Sequence, residues 1–381
     1  MGRSLSAEDF GLMNALLSLV GFLSLPVSAY TLTLTRQWAE LANDSRHEEA
    51  ERLWYALVVV ASVFCLTGIL IAWWLTPWLA WWLKTQNETV ICVAIIGTGL
   101  GTVLNLANPF LAARQWFVPL AIGGIVGAGL RIGVAWMGIQ WQVPLSSAVA
   151  ATTLYGGVLA FFVFWRVRWP GWSQLSFQKL LPAKHGLLAS LLVALSSFCL
   201  LGADMLVIRR LYDPYQAGLF AQVMILGRII FFLIGPIGTV IFPKTATSLL
   251  NNTQPREEHV VRRGLIFGAV ILLAAALAIS LLAPIGFQLL RGSSDAIVVG
   301  YLRIAVWCLI PLSLSQLILP SLFARHQERL LLEFTMICAL LPAGLAIFRD
   351  NLIHAFLVEG AVGIFLLSFA VFRLSPMPLR N

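Results

Sequence analysis

The stretch GLIFGAVILLAAALAISLLAPIGFQLL, from Gly264 to Leu290, contains no Asp, Glu, Lys or Arg. A helix needs about 20 apolar residues to cross a hydrocarbon layer ~30 Å thick, so this stretch is long enough to span a membrane. Comparable stretches follow one another along all 381 residues, of which 59% are hydrophobic and 11% charged. A soluble domain is charged at about a quarter of its residues. The sequence therefore predicts an all-α polytopic membrane protein, since it lacks the ~10-residue alternating stretches of a membrane β-barrel.

Charged and polar connections divide the chain into eleven predicted spans, grouped in two helical bundles. Residues 1–165 form a predicted N-terminal bundle of five spans, and residues 187–381 a C-terminal bundle of six. The basic segment between them, residues 166–186, is a predicted cytoplasmic linker. The predicted spans are Leu12–Leu34, Leu53–Trp82, Thr89–Ala113, Trp116–Gly138, Leu145–Trp165, Leu187–Ile208, Ala217–Pro243, Gly264–Leu290, Ala296–Phe323, Leu330–Phe348 and Leu352–Phe372.

The distribution of basic residues predicts the orientation in the membrane. Most of the 25 lysines and arginines fall in alternate connections that face one side, and the positive-inside rule makes that side cytoplasmic. The N-terminus is then outside and the C-terminus inside. A net charge of +8 fits cytoplasmic loops on anionic membrane lipids, so no nucleic acid partner is expected.

A motif near the N-terminus is echoed in the second half of the chain. Leu5–Leu12 (LSAEDFGL) and Leu211–Leu219 (LYDPYQAGL) each lead directly into a span, and each span carries a late proline, Pro26 or Pro236. The repeat of this motif indicates that the chain consists of two structural halves, as in many transporters. A span precedes the second copy and none precedes the first. We therefore expect that the chain derives from a parent architecture of six plus six helices and lacks the first of them. The helix would be missing through truncation, through a start at a downstream Met, or through a true reduction to eleven helices.

Several short segments resemble polysaccharide-biosynthesis flippases of the Wzx type. They are LSAEDFG before the first span, Gly202–Ile208 (GADMLVI), Ala217–Phe220 (AGLF) and Ile241–Lys244 (IFPK). Flippases of this type belong to a superfamily that also contains multidrug and toxic-compound extruders and lipid II flippases. The resemblance implies a MATE-like fold in a bacterial inner membrane. It also implies alternating-access transport of a polyprenyl-pyrophosphate-linked oligosaccharide, for O-antigen, capsule or exopolysaccharide synthesis, with polysaccharide polymerase machinery as a potential partner.

Five ionisable residues inside the predicted spans are the candidate functional residues, because a charge at mid-span costs about 2.5 to 3.5 kcal/mol and usually faces a cavity or a partner. In a flippase of this type, arginines in opposite halves would bind the pyrophosphate while the polyprenyl tail stays in lipid. We assign this role to Arg131 and Arg228, and a structural role is the alternative for each. The five residues are Arg131, Arg228, Asp204, Arg303 and Glu359.

The other three candidates have open alternatives. Asp204 would act in ion coupling or, as we favour, pair with Arg209 or Arg210. Arg303 is near enough to a span end for its head group to reach water. Glu359 would pair with an intramembrane arginine or serve as a protonatable coupling site.

Three other functions compete with the flippase hypothesis. A cation-coupled drug extruder would favour an acidic cavity, and the excess of arginines over acids within the spans speaks against it. A polysaccharide polymerase or ligase would need a sizeable outer loop, and no connection offers one. An inactive scaffold is the third. No catalytic residue, cofactor or metal site is expected, and ATP is excluded as a direct energy source because no Walker-type loop is present.

Overall fold

The computed structural model describes residues 5–43, 46–172, 175, 184–235, 237, 254–292, 295–324 and 328–374. These residues form helices and connections, and none of them lies in a β-strand. Pro236, the Ile241–Lys244 motif and about half of the predicted linker lie outside the described residues. The chain is divided into two compact units, Arg3–Leu191 and Leu192–Asn381.

The first unit is built from nine described helices and the start of a tenth. A short 3-10 turn, Ala151–Thr153, joins the eighth to the ninth. The helices are α1 (Ala7–Leu23), α2 (Leu25–Asn43), α3 (His47–Trp74), α4 (Thr76–Trp82), α5 (Glu88–Asn105), α6 (Ala107–Ala113), α7 (Phe117–Gln140), α8 (Pro144–Ala150), α9 (Leu154–Arg166) and α10 (Lys184–Leu201).

The second unit begins within α10 and contains eight further helices among its described residues. After α12 the chain makes a turn at Arg228 and continues as helix toward Gly235. The helices are α11 (Ala203–Leu211), α12 (Pro214–Gly227), α13 (Gln254–Arg291), α14 (Ala296–Gln316), α15 (Ile318–Ala324), α16 (Glu328–Cys338), α17 (Leu340–Ile347) and α18 (Leu352–Leu374).

The helices have the length and composition of membrane spans. Within the described ranges, nine are long and apolar enough to cross a membrane, and two bent pairs bring the number to eleven. One pair, Ala7–Leu23 with Leu25–Thr31, bends by 48°, and the other, Gly186–Leu201 with Ala203–Leu211, bends by 49°. The prediction of an all-α polytopic membrane protein with about eleven spans is confirmed.

The repeated sequence motif marks equivalent helix starts. Ser6 precedes α1 and its hydroxyl accepts the backbone N–H of Asp9 at 3.1 Å. Asp213 precedes α12 and its carboxylate accepts the backbone N–H of Tyr215 at 3.0 Å. A side-chain acceptor at this position satisfies a backbone donor that the helix itself leaves unpaired. The two copies of the motif therefore share a capping role at the start of a span.

Close packing of α14 against α18 forms the centre of the second unit. A Cβ atom at Gly363 would overlap the backbone of Leu312, and one at Gly360 would lie 3.2 Å from the Cβ of Cys308. Small residues allow helices in a membrane to approach until their backbones touch. Phe356, one turn before Gly360, stacks on Phe220 with ring centroids 5.4 Å apart. These contacts fix the position of Glu359, which lies between them on α18.

Candidate functional site

Asp204 and Arg228 form an ion pair inside the second unit. Asp204 is 1% exposed and lies in the first turn of α11, directly after the bend at Gly202. Its Oδ1 and Oδ2 atoms accept hydrogen bonds from Nη2 of Arg228 at 2.7 and 2.6 Å. Oδ1 also accepts the backbone N–H of Met205 at 2.7 Å. The short distances are typical of charge-assisted hydrogen bonds.

Arg228 reaches this pair from the turn that follows α12. Its side chain is 19% exposed, so the guanidinium is partly accessible although Asp204 is not. Its Nε atom is buried and has no hydrogen-bond partner in the part of the chain that the structure describes. The guanidinium therefore retains donor capacity beyond its bonds to Asp204.

Glu359 adds a second carboxyl group to the cluster. It is 1% exposed, and no donor group among the described residues bonds to either of its carboxylate oxygens, whereas the carboxyl group of Asp204 lies within hydrogen-bonding reach of it. It is close enough to Asp204 and Arg228 to interact electrostatically with both, and it also interacts with Cys308 on α14. An isolated buried carboxylate is costly unless a counter-charge or hydrogen bonds compensate it.

The three side chains form a group with two acids and one base. If both acids are ionised, one negative charge is left without a counter-charge in a water-poor site. Binding of a proton or a small cation removes that excess charge. If the guanidinium of Arg228 moves from one carboxyl group to the other, the acid that it leaves becomes the one that binds the proton or cation. The arrangement is therefore chemically suited to coupling an ion to a conformational change.

Arg131 lies in the first unit, apart from this cluster. It is the fifteenth residue of the 24-residue α7 and is exposed. It forms no hydrogen bond or ion pair with any residue that the structure describes. One and two turns away on the same face are Ala128, Ala135 and Gly124, and a Cβ at Gly124 would meet nothing within 4 Å. Three positions on the same face of α7 as Arg131 therefore carry small residues.

The structure places Arg303 differently from the other candidates. It is exposed on α14, and its Nε donates to the backbone oxygen of Ser280 on α13 at 3.2 Å. The side chain is therefore engaged in a contact between two neighbouring helices. A guanidinium so engaged still has four other N–H groups for water or lipid.

A polar pair that the sequence analysis missed lies in the same unit. Nη1 of Arg291, at the end of α13, donates to Oε1 of Gln222 at 2.6 Å. Gln222 is 1% exposed, and its amide nitrogen has no partner among the described residues. The signal available in the sequence was a glutamine within the apolar run of α12, since an amide buried in a span requires hydrogen bonds.

Comparison with known proteins identifies the family. The sequence profile of the polysaccharide biosynthesis protein family matches residues 1–294, well over half of the chain. The chain belongs to this family. The resemblance to polysaccharide-biosynthesis flippases is thereby confirmed at the level of the family. No curated protein sequence matches this family member.

Solved structures similar to this family member are transporters of the MOP superfamily. A multidrug resistance MATE family transporter in an inward-facing conformation is similar with a TM-score of 0.72 and 14% identity, over 97% of this chain and 93% of that one. The lipid II flippase MurJ, in an inward closed conformation, is similar with a TM-score of 0.68 and 11% identity, over 98% and 87%. A MOP superfamily transporter from Pyrococcus furiosus is similar with a TM-score of 0.64 and 17% identity, over 97% and 88%. At these identities the similarity establishes the shared fold.

Proposed function

We propose that this family member is a flippase that moves a polyprenyl-pyrophosphate-linked oligosaccharide across the bacterial inner membrane. Transport would proceed by alternating access and supply cell-surface polysaccharide synthesis. The family and the MOP fold support a flippase-type transporter. The predominance of basic residues in alternate connections supports an outside N-terminus and a cytoplasmic C-terminus. The protein would act as a transporter and not as an enzyme.

The observation that carries the proposal is Arg131 in the middle of α7, which has no hydrogen bond or ion pair with any described residue. An exposed Arg131 facing lipid tails would cost about 2.5 to 3.5 kcal/mol, so it requires water or an anionic partner. A pyrophosphate group supplies the oxygens that a planar guanidinium binds with paired, charge-assisted hydrogen bonds. The small residues Gly124, Ala128 and Ala135 on the same helix face are proposed to make room for the sugar that the pyrophosphate carries. These features favour an anionic, lipid-linked head group as the ligand.

Arg228 is proposed as the second pyrophosphate ligand and as the link to ion coupling. In this structure its guanidinium is bonded to Asp204. A pyrophosphate that drew Arg228 away would leave Asp204 without its counter-charge, and Asp204 would then bind a proton or a cation. Glu359, to which no donor group among the described residues bonds, is proposed as the acid that exchanges this ion. Substrate binding and ion binding would thus compete for the same arginine.

Binding of the head group tests the role of Arg131. Purified protein in nanodiscs of zwitterionic lipid should bind polyprenyl pyrophosphate, and Arg131→Ala should weaken binding about tenfold or more through loss of a charge-assisted pair. Arg349→Ala, which removes an exposed arginine from a connection between spans, is the matched control. Equal affinity of the wild type and Arg131→Ala would contradict the proposal.

A cation-coupled drug extruder remains the second candidate function. The buried acids Asp204 and Glu359 are the observation that favours it, because acidic groups attract cationic drugs. A susceptibility panel in an overexpressing strain distinguishes the two functions. Broad drug resistance that is lost in Glu359→Gln would favour the extruder, whereas unchanged susceptibility favours the flippase.

A further inference from the structure

A shallow apolar groove lies between α7 and α9 of the first unit, and neither the candidate site nor the proposed function uses it. A Cβ at Gly127 would lie 2.9 Å from Cα of Tyr155, so a small residue lets the two helices touch beside the groove. The groove has a volume of about 400 Å³, and every residue that lines it is apolar. Residues that represent its walls are Val126, Leu130, Leu154, Gly157, Phe161 and Phe162.

The groove leads to a basic cluster at the end of α9. Val158 and Phe162 line the groove, and Arg166 follows Phe162 by one turn, so these three residues share one face of the helix. Phe161, which also lines the groove, has its ring centroid 6.0 Å from that of Trp165. The groove is thus continuous along α9 with the side chains around Arg166.

Contacts of the chain after α9 hold two arginines at the surface. The hydroxyl of Tyr55 on α3 donates to the backbone oxygen of Val167 at 2.8 Å. The backbone is extended at Val167 and its side chain is buried, so the residues before and after it point the opposite way. These residues, Arg166 and Arg168, are both exposed. The Cζ atom of Arg166 also lies 5.9 Å from the ring centroid of Trp116, which precedes α7, so both helices meet at this basic end.

The glutamates at the start of α3 do not neutralise these two arginines, because each glutamate is paired with another arginine. The pairs are Glu48 with Arg52 at 3.3 Å, Glu49 with Arg46 at 2.7 Å and Glu51 with Arg114 at 2.7 Å. Neither Arg166 nor Arg168 forms a hydrogen bond or ion pair with any residue that the structure describes. The groove therefore ends at two guanidinium groups whose N–H donors are available to an anion.

We propose that this groove binds an anionic glycerophospholipid of the membrane. The phosphate binds Arg166 and Arg168, because guanidinium groups donate paired, charge-assisted hydrogen bonds to phosphate oxygens. One acyl chain lies between α7 and α9, where the apolar walls supply dispersion contacts. This lipid is a bound component of the first unit and not the transported substrate, so the site does not depend on the flippase function.

The length of α9 matches one leaflet of a membrane. Its 13 residues rise about 20 Å, whereas half of a ~30 Å hydrocarbon layer is ~15 Å thick. An acyl chain that follows the groove therefore places its head group at the end of α9. Trp165, next to Arg166, is exposed, as expected for an aromatic residue at the level of lipid head groups. The distribution of basic residues predicts that this side is cytoplasmic, where anionic lipids attract arginines near the surface.

Lipid retention by the purified protein tests the head-group contacts. Native mass spectrometry would compare phosphatidylglycerol with phosphatidylcholine of the same acyl chains, added in equal amounts to delipidated protein. The wild type should retain phosphatidylglycerol about tenfold better or more, and the double variant Arg166→Gln, Arg168→Gln should lose this preference. The matched control is the double variant Arg262→Gln, Arg263→Gln, which removes two exposed arginines from the second unit.

Photocrosslinking locates the acyl chain. Phosphatidylglycerol with a diazirine in one acyl chain should label the wild type within residues 126–130 and 154–162, which line the groove. Gly157→Phe fills the groove and should lower this labelling about tenfold, because burial of two methylene groups is worth that factor. A Cβ at Gly157 would meet only Cδ1 of Leu104, at 3.8 Å. Gly129→Phe is the matched control, since a Cβ there meets nothing within 4 Å and lies outside the groove.

Several outcomes would overturn the proposal. Equal retention of the two lipids by the wild type, or a preference that survives the loss of both Arg166 and Arg168, would exclude a head-group site there. An equal loss of preference in the control pair would show a general attraction of lipids to basic connections. Wild-type labelling outside the groove would exclude the acyl-chain site without any variant. Displacement of the label by polyprenyl phosphate, but not by unlabelled phosphatidylglycerol, would assign the groove to an isoprenoid lipid instead.

Discussion

Charged residues inside the spans are the candidate functional residues of this protein, and their pairing could be predicted only in part. A charge within an apolar run is evident in the sequence, so Asp204, Arg228 and Glu359 were all selected. The favoured partners of Asp204 were Arg209 and Arg210, which follow it by five and six positions. Residues that share a helix face are three or four positions apart. The structure instead brings Arg228 to Asp204 from the next span, which depends on the bend at Gly202.

The two acids of the cluster should respond oppositely to neutralisation. Glu359→Gln removes one of two neighbouring carboxyl groups and with it their mutual repulsion, so the folded state should be unchanged or more stable. Asp204→Asn weakens the two charge-assisted hydrogen bonds that Nη2 of Arg228 donates and leaves Glu359 as the nearest acid, so it should destabilise the protein by about 1.5–3 kcal/mol. Thermal unfolding of the two purified variants in one detergent measures the difference. Similar losses of stability in both variants would contradict the arrangement of charges described above.

The helical elements were predicted well in extent and poorly in shape. Apolar run length fixes where a span begins and ends, and predicted Thr89–Ala113 corresponds to Glu88–Ala113 in the structure. The break at Ser24 is marked in the sequence by Pro26 and the other break by Gly202 itself, but hydropathy records neither, because both neighbouring segments remain apolar. The break at Gly202 places Asp204 at a helix start. The position of this candidate residue thus depends on the shape of a span, which hydropathy does not encode.

Close packing of α14 and α18 should be sensitive to a single methyl group. Gly363→Ala places a Cβ against the backbone of Leu312 and should destabilise the protein by about 1–3 kcal/mol through overpacking. Gly300→Ala on α14 is the matched control, because its Cβ would enter open space and alanine favours a helix. Thermal unfolding of both variants provides the comparison. A Gly363→Ala protein as stable as Gly300→Ala would show that α14 and α18 are not in backbone contact at this point.

The whole molecule has a fold that is similar both to a multidrug resistance MATE family transporter and to the lipid II flippase MurJ. Composition and run lengths were sufficient for the fold class, and the short motifs led to the family. Neither the composition nor the motifs reveal the substrate, because the motif residues Ser6 and Asp213 serve to cap helices. The choice of an anionic lipid-linked substrate depends on one local feature of the first unit. This is the mid-span Arg131, which forms no hydrogen bond or ion pair with any residue that the structure describes.

Translocation in proteoliposomes tests the flippase most directly. A polyprenyl-pyrophosphate oligosaccharide with a fluorescent head group would be added to vesicles that contain the wild type, Arg131→Ala, Arg228→Ala or the control Arg349→Ala, matched for folded yield. We expect transport by the wild type and the control, and a loss of about tenfold or more in each of the other two variants. No transport by the well-folded wild type, or transport that persists without Arg131 and Arg228, would contradict a flippase that binds pyrophosphate through these arginines.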